Sequence, residues 1–196
     1  MPSLETLITF TIICVLLGLS PGPSNLYVIA RSVAQGLQAG MVAAFGLATG
    51  GLVHVLAAVL GLSVLLTTMP VLYTGVKLVG AAYLIWLGIS SWRKHDAVNP
   101  AGTRSGLKSL GRIYRESIIV EITNPKTALF FIALLPQFVD PALGPVSWQL
   151  LVLGVVITLT AIPCDLLVAL FSSQAARWLA HTSMHYCGRS ACPAAF

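Results

Sequence analysis

Charge is what this chain has least of. Of 196 residues, 11 are Lys or Arg and six are Asp or Glu, so charged side chains make up only 9%. A soluble domain carries about a quarter. Hydrophobic residues reach 57% and the mean hydropathy is +0.89, which places the chain in a lipid bilayer. The few acids are widely spaced, which argues against an embedded enzyme built on clustered His, Asp and Glu. No P-loop, nucleophile elbow or dinucleotide fingerprint occurs. Neither catalytic residues nor a cofactor are expected, and the missing P-loop argues against ATP hydrolysis within this chain, though not against a partner that supplies it.

Cysteine is sparse too. Cys14 and Cys164 sit in apolar runs, where a small hydrophobe is the ordinary reading, and Cys187 and Cys192 fall near the end. His181, His185, Cys187 and Cys192 have ligand-type side chains, but no turn or supporting pattern accompanies them, so no metal site is expected. Residues 173–196 read instead as an unstructured cytoplasmic tail. The start holds Glu5 and no basic residue before Arg31, unlike a cleaved signal peptide, and reads as a retained helix.

Long apolar runs are what remains. They fall at about Leu4–Ala30, Met41–Thr67, Val71–Trp92, Ser117–Val139 and Val146–Phe171, each near the ~20 residues a membrane helix needs. Basic residues follow the first and fifth runs (Arg31, Arg177) and crowd the stretch after the third, whereas Thr67–Pro70 and Asp140–Pro145 have none. Basic loops stay in the cytoplasm. This placement also explains the net charge of +5 without a nucleic-acid partner. The N-terminus is then outside, with residues 1–92 as a first three-helix repeat and 93–116 as a basic cytoplasmic loop. Residues 117–172 form a second repeat of opposite orientation, with two helices. The expected fold is an all-α membrane protein, an inverted three-plus-three repeat with its sixth helix missing.

Two runs are broken at related places, Ser20-Pro21-Gly22-Pro23 and Asn124-Pro125-Lys126. Proline removes a backbone donor, and in lipid such a break is tolerated only where protein or a wet cavity covers it. Matched discontinuous helices are the best pointer to a transporter's substrate site. Pro21 and Pro23 leave the carbonyls of Leu17 and Leu19 free, suited to an ammonium. A new helix start at Ser24-Asn25 suits a carboxylate. A simple kink is the plainer reading of one proline, less so of two around a glycine.

Lys126 is the tenth residue from Ser117, about 13 Å into its span. An intramembrane lysine is either functional or snorkels to the interface. Glu121 is a partner for Lys126, a contact for the substrate, or a solvated residue at the membrane edge. Asp165, after Pro163, is the most deeply placed acid. It reads as a proton carrier or as a partner for Lys77 or Lys126. His54 reads as a hydrogen-bonded packing residue, and Lys77 as a snorkelling one. The spacings Gly46–Gly50 and Gly18–Gly22 suit close helix approach within or between subunits, a homodimer included.

The chain resembles the LysE/RhtB family of bacterial amino-acid exporters over roughly residues 4–172. The resemblance rests on Leu19-Ser20-Pro21-Gly22-Pro23, on Ala30-Arg31-Ser32-Val33-Ala34-Gln35-Gly36, and on Lys77-Leu78-Val79-Gly80-Ala81-Ala82-Tyr83-Leu84 with Gly88. Asn124-Pro125-Lys126 followed by Leu135-Pro136-Gln137-Phe138 completes it. It implies proton-driven export of amino acids or close derivatives across the bacterial inner membrane. It also carries substrate-site candidacy onto Pro21, Gly22, Pro23, Asn124, Pro125 and Lys126. Family members often have Asn directly after the first motif; here that position is Ser24, with Asn25 next, so both join the candidates. Glu121 and Asp165 are the candidates for proton coupling. A non-transporting remnant or assembly subunit is the alternative that a missing last helix suggests.

Overall fold

The computed structural model describes residues 2–69, 71, 74–75, 78–79, 81–82, 85–86, 89 and 107–187. Most of the expected third span, Lys77, most of the basic loop and Cys192 lie outside the described residues. What is described is helical to 89%, without strands.

Helix α1 (Leu4–Leu19) opens on Ser3, whose hydroxyl accepts from the Thr6 amide at 3.1 Å, a standard N-cap. It stops at Ser20, which is extended (φ −69°, ψ 130°), as the residue before a proline prefers to be. Helix α2 (Pro23–Gln35) starts on the second proline, whose missing N–H is no loss at a helix start. The two helices meet at 54°. The expected single span Leu4–Ala30 is therefore two helices, the second running on to Gln35. Gly36 ends α2 at φ 83°, a conformation glycine adopts without a steric penalty.

Helix α3 (Leu37–Ala57) passes through a wider π turn at Ala58–Leu62 into α4 (Ser63–Thr68). Helix α5 (Leu110–Ile122) and helix α6 (Pro125–Ala133) repeat the broken pattern, bent by 46° with a 3₁₀ turn at Leu135–Phe138 closing the pair. The span therefore begins at Leu110 and not at Ser117, so Lys126 lies further along it than expected. Helix α7 (Val146–Cys187) runs through Pro163 without a break. Residues 173–187 are thus helical, contrary to the expected unstructured tail. No glycine or proline occurs between Cys164 and Cys187 to stop the helix.

Leu37–Leu65 and Val146–Leu179 are long and apolar enough to cross a membrane, and each bent pair is too when its two helices are taken together as one broken span. Four of the five expected spans have these counterparts. Along α1, Ile8, Ile12, Leu16 and Leu19 are exposed at helical spacing, an apolar face of the kind lipid covers.

The buried residues form two clusters. One gathers Phe10, Val55, Phe130, Leu135, Leu150 and Leu153; the other gathers Val28, Ala39, Ala43, Leu47, Ile113 and Ala169. Each broken pair sends its first helix to one cluster and its second to the other. Both breaks therefore lie at the level between the clusters. In the first cluster the Phe10 ring meets Phe138 edge-on at 5.1 Å.

Helix α3 packs most extensively on α5 and α7. A Cβ at Gly46 would stand 2.6 Å from the Tyr114 carbonyl oxygen, and one at Gly50 would stand 2.8 Å from that of Ile118. The Gly46–Gly50 face is therefore spent on α5 within the chain. Gly18 and Gly22 likewise pack on Cys164 and Lys126. A homodimer would need another surface.

Polar ties join α2 to α5. Glu116 accepts from Lys108 Nζ at 2.6 Å, Arg112 Nε at 2.9 Å and Tyr27 OH at 3.0 Å. Gln35 Nε2 donates to the Lys108 carbonyl at 2.8 Å while the Lys108 amide donates back to Gln35 Oε1 at 2.9 Å. Arg31 is 2% exposed, its guanidinium 5.7 Å from the Tyr27 ring centre, with no hydrogen-bond partner for Nε or Nη1.

Because backbone oxygens cannot move out of the way of a new side chain, Gly46→Leu is expected to destabilise the fold by about 1–3 kcal/mol. Gly111→Ala, with nothing within 4 Å of the new carbon, should leave stability near that of the parent. Thermal unfolding of the detergent-purified variants measures both.

Candidate substrate site

The two breaks meet, and each is closed by the other. Pro21 withholds an amide from the carbonyl of Leu17. That oxygen accepts instead from Ser20 N at 3.1 Å and from Lys126 Nζ at 2.8 Å. Lys126 Nζ donates again to the Ser20 carbonyl at 2.6 Å. Asn25 Nδ2 donates to Gly18 O at 2.8 Å and to Ser20 O at 3.2 Å. Of the two carbonyls expected to be free for a ligand's ammonium, that of Leu17 is thus already held by the chain's own ammonium. Gly22 is what lets the lysine lie there: a Cβ on it would stand 3.1 Å from Lys126 Cδ.

The start of α2 shows the complementary arrangement. Ser24 Oγ donates to Glu121 Oε2 and accepts from Asn124 Nδ2 at 2.7 Å. Thr127 Oγ1 donates to Glu121 Oε1 at 2.8 Å. The carboxylate expected at this helix start is therefore supplied by the protein. Glu121 is partly buried and held by hydroxyls, so it is not a solvated residue at a membrane edge. Nor is it an ion-pair partner of Lys126, because among the described residues the ion pairs are Lys108–Glu116 and Arg112–Glu116. Asn124 both caps α6, accepting from Lys126 N at 3.0 Å, and reaches across to Ser24. His54 plays the packing role expected of it. Its Nε2 lies 3.0 Å from the Glu121 carbonyl oxygen, and its ring stacks on Phe131 at 5.7 Å.

These groups border a cavity of about 80 Å³, room for several waters at ~10–15 Å³ each. Gly22, Ser24, Asn25, Glu121, Asn124, Lys126 and Asp165 all line it. Pro21, Pro23 and Pro125 shape its wall without facing it. Asp165 enters from α7, 8% exposed and outside ion-pair range of Lys126. Its proposed pairing with Lys77 lies outside the described residues.

Several lining residues escaped the sequence reading. Thr127 adjoins Lys126 and could have been found as a hydroxyl one step along the α6 start. Leu47, Ala48 and Gly51 of α3, Phe130 and Phe131 of α6, and Ile157, Thr158 and Ala161 of α7 lie in uniformly apolar helices. Nothing in such helices marks which side faces a cavity. His181, His185 and Cys187 fall on the last turns of α7, and no cluster of metal-ligating residues occurs among the described residues.

The family model described as LysE type translocator matches residues 15–192. The chain belongs to this family. The match extends beyond the 4–172 stretch on which the resemblance was read and takes in most of the supposed tail. The homoserine/homoserine lactone efflux protein of Salmonella typhi is 36% identical over 168 residues, covering 84% of this chain and 79% of the relative. An uncharacterised membrane protein of Bacillus subtilis is 30% identical over 184 residues, covering 90% of this chain and 87% of its own. The leucine efflux protein of Salmonella choleraesuis is 31% identical over 132 residues, covering 67% and 62% respectively. No solved structure matches the chain. Relatives whose names state a function are efflux proteins, so the comparisons give no support to a non-transporting remnant.

In this LysE-type chain the Ser24–Asn124 bond should behave as an energetic link between the two breaks. Ser24→Ala and Asn124→Ala are each expected to cost about 1 kcal/mol or more, the second through its cap. Combined, they should cost less than the sum by about 0.5–1.5 kcal/mol. A double-mutant cycle read by thermal unfolding checks this, and strict additivity would contradict it.

Proposed function

We propose that this chain is a secondary exporter that moves amino acids or close derivatives out of the bacterial cytoplasm across the inner membrane in exchange for protons. The observation that carries the reading is the convergence of one ammonium and two carboxylates on one cavity at the junction of two broken helices. Broken helices that bring polar groups to a site between them are the architecture of secondary transporters. The names of the efflux relatives supply the substrate class.

In this reading Pro21, Gly22, Pro23, Ser24, Asn25, Asn124, Pro125 and Lys126 form the substrate site. Lys126, Ser24, Asn25 and Asn124 contribute polar contacts, and the prolines and Gly22 hold the backbone open. Glu121 and Asp165 are the acids through which protons couple. The basic residues flanking the spans put the N-terminus outside and both breaks in the cytoplasmic half of the membrane. Rocking of the two oppositely oriented repeats would expose the cavity to each side in turn.

Proteoliposomes loaded with labelled L-leucine or L-homoserine should release it when an inward proton gradient is imposed across them. Lys126→Met should lower that release by about tenfold or more, because two charge-assisted bonds at the break are lost. Glu121→Gln should keep substrate exchange while reducing the response to the gradient. If a full panel of amino acids stays inside the vesicles with the unaltered protein, the exporter reading fails.

A further inference from the structure

Part of each place read from sequence as holding an end of a zwitterionic ligand is occupied by the protein itself, the Leu17 carbonyl at one and the Ser24 hydroxyl at the other. Lys126 Nζ fills the carbonyls of Leu17 and Ser20, and Glu121 is engaged on one oxygen by Ser24 and on the other by Thr127. A substrate ammonium therefore needs a different acceptor. One carboxylate on the cavity wall has no such commitment.

Asp165 is 92% buried, its relative exposure being 8%. Among the described residues it has neither a hydrogen bond nor an ion pair. The buried polar atoms sealed away without partners are Arg31 Nε and Nη1 and Ser32 Oγ. The Asp165 oxygens are not among them, and the residue lines the cavity, so they open into it. A carboxylate held out of water with its lone pairs unspent is costly unless something cationic meets it. Lys126 acts on it only from a distance, beyond ion-pair range, and has turned two of its three N–H groups to α1. Its third N–H is left for an anion.

We infer that Asp165 is the anchor for the substrate's α-ammonium group. A zwitterion seated there has its carboxylate toward the free N–H of Lys126 and its side chain against Leu47, Phe130, Phe131 and Ile157, which line the same cavity. The ligand class is then an α-amino acid or a derivative that keeps the free ammonium. The inference rests on the exporter reading but makes a separate demand: recognition must depend on the ammonium and on Asp165 in particular.

Three probes separate these demands in competition binding to the purified full chain in lipid nanodiscs. L-Leucine carries both charges, 2-hydroxy-4-methylpentanoate replaces the ammonium with a hydroxyl, and L-homoserine lactone keeps the ammonium and lacks the carboxylate. The wild type should prefer L-leucine over its hydroxy acid by about tenfold or more, as loss of a charged hydrogen bond requires. Asp165→Asn should weaken leucine and the lactone by a similar factor without weakening the hydroxy acid, whose retained binding shows that the variant is folded. Asp165→Glu should recover part of the loss. Equal wild-type affinity for leucine and its hydroxy acid overturns the subsite even if Asp165→Asn does not fold. So does a variant that weakens all three probes alike or none. A wild type that binds neither these probes nor any amino acid of the transport panel rejects the exporter reading beneath it.

Discussion

Everything at the centre of this molecule follows from one deficit: backbone carbonyls left without amides inside an apolar bundle. A proline at position 21 removes the amide that Leu17 would have received. In water the free oxygen would bind solvent at little cost. Between helices that lipid surrounds, it must find a donor within the protein. The donor comes from the other broken pair, as Lys126 reaching across to Leu17 and Ser20. The second break is held reciprocally, with Asn124 capping α6 and bonding Ser24. Neither bend is stable as an isolated kink. Each is a place where the backbone of one pair is completed by a side chain of the other.

That reciprocity also sets the electrostatics. A lysine in the middle of an apolar assembly would ordinarily be costly, yet here its bonds to carbonyl dipoles replace those it would make to water. Glu121 is compensated in the same manner by the hydroxyls of Ser24 and Thr127, without a direct ion pair. The cavity thus holds one ammonium and two carboxylates as separate groups, with no ion pair among them. A tight internal Lys–Glu pair would have neutralised both and left nothing to recognise a zwitterion. The same cavity also has apolar lining, Phe130 and Phe131 included.

Much of this was legible in the sequence because prolines, glycines and intramembrane charges are discrete signals. Pro21, Pro23 and Pro125 marked the breaks, and Lys126, Glu121 and Asp165 marked the groups that gather round them. The partners were harder. Leu17 was expected to offer its carbonyl to a ligand, because sequence shows the missing amide but not the lysine that replaces it 109 positions away. The solvated-edge reading of Glu121 failed for the same reason, its bond to Ser24 spanning 97 positions. Boundaries failed where the governing signal was absence. Helix α7 runs past Phe171 to Cys187 because nothing in between stops it, and a fall in hydropathy is not a helix terminator. The cavity faces of α3 and α7 stayed hidden because a helix that is apolar all round carries no periodicity to read.

The mutual completion of the breaks constrains how the bundle can move. Separating the pairs α1–α2 and α5–α6 at their crossing would orphan the carbonyls of Leu17 and Ser20 and strand the Lys126 charge at once, each a loss of about 1–3 kcal/mol or more. Motion that leaves this crossing intact is far cheaper. The first helix of each pair enters a different buried cluster from the second, so the two clusters can loosen one at a time while the crossing acts as a fixed point. Close packing of Gly46 and Gly50 on α5 is a second contact between the two halves, and the bonds through Glu116 and Gln35 are of a kind that water can replace. A cavity placed at this crossing has its polar groups held by the same bonds that complete the two breaks.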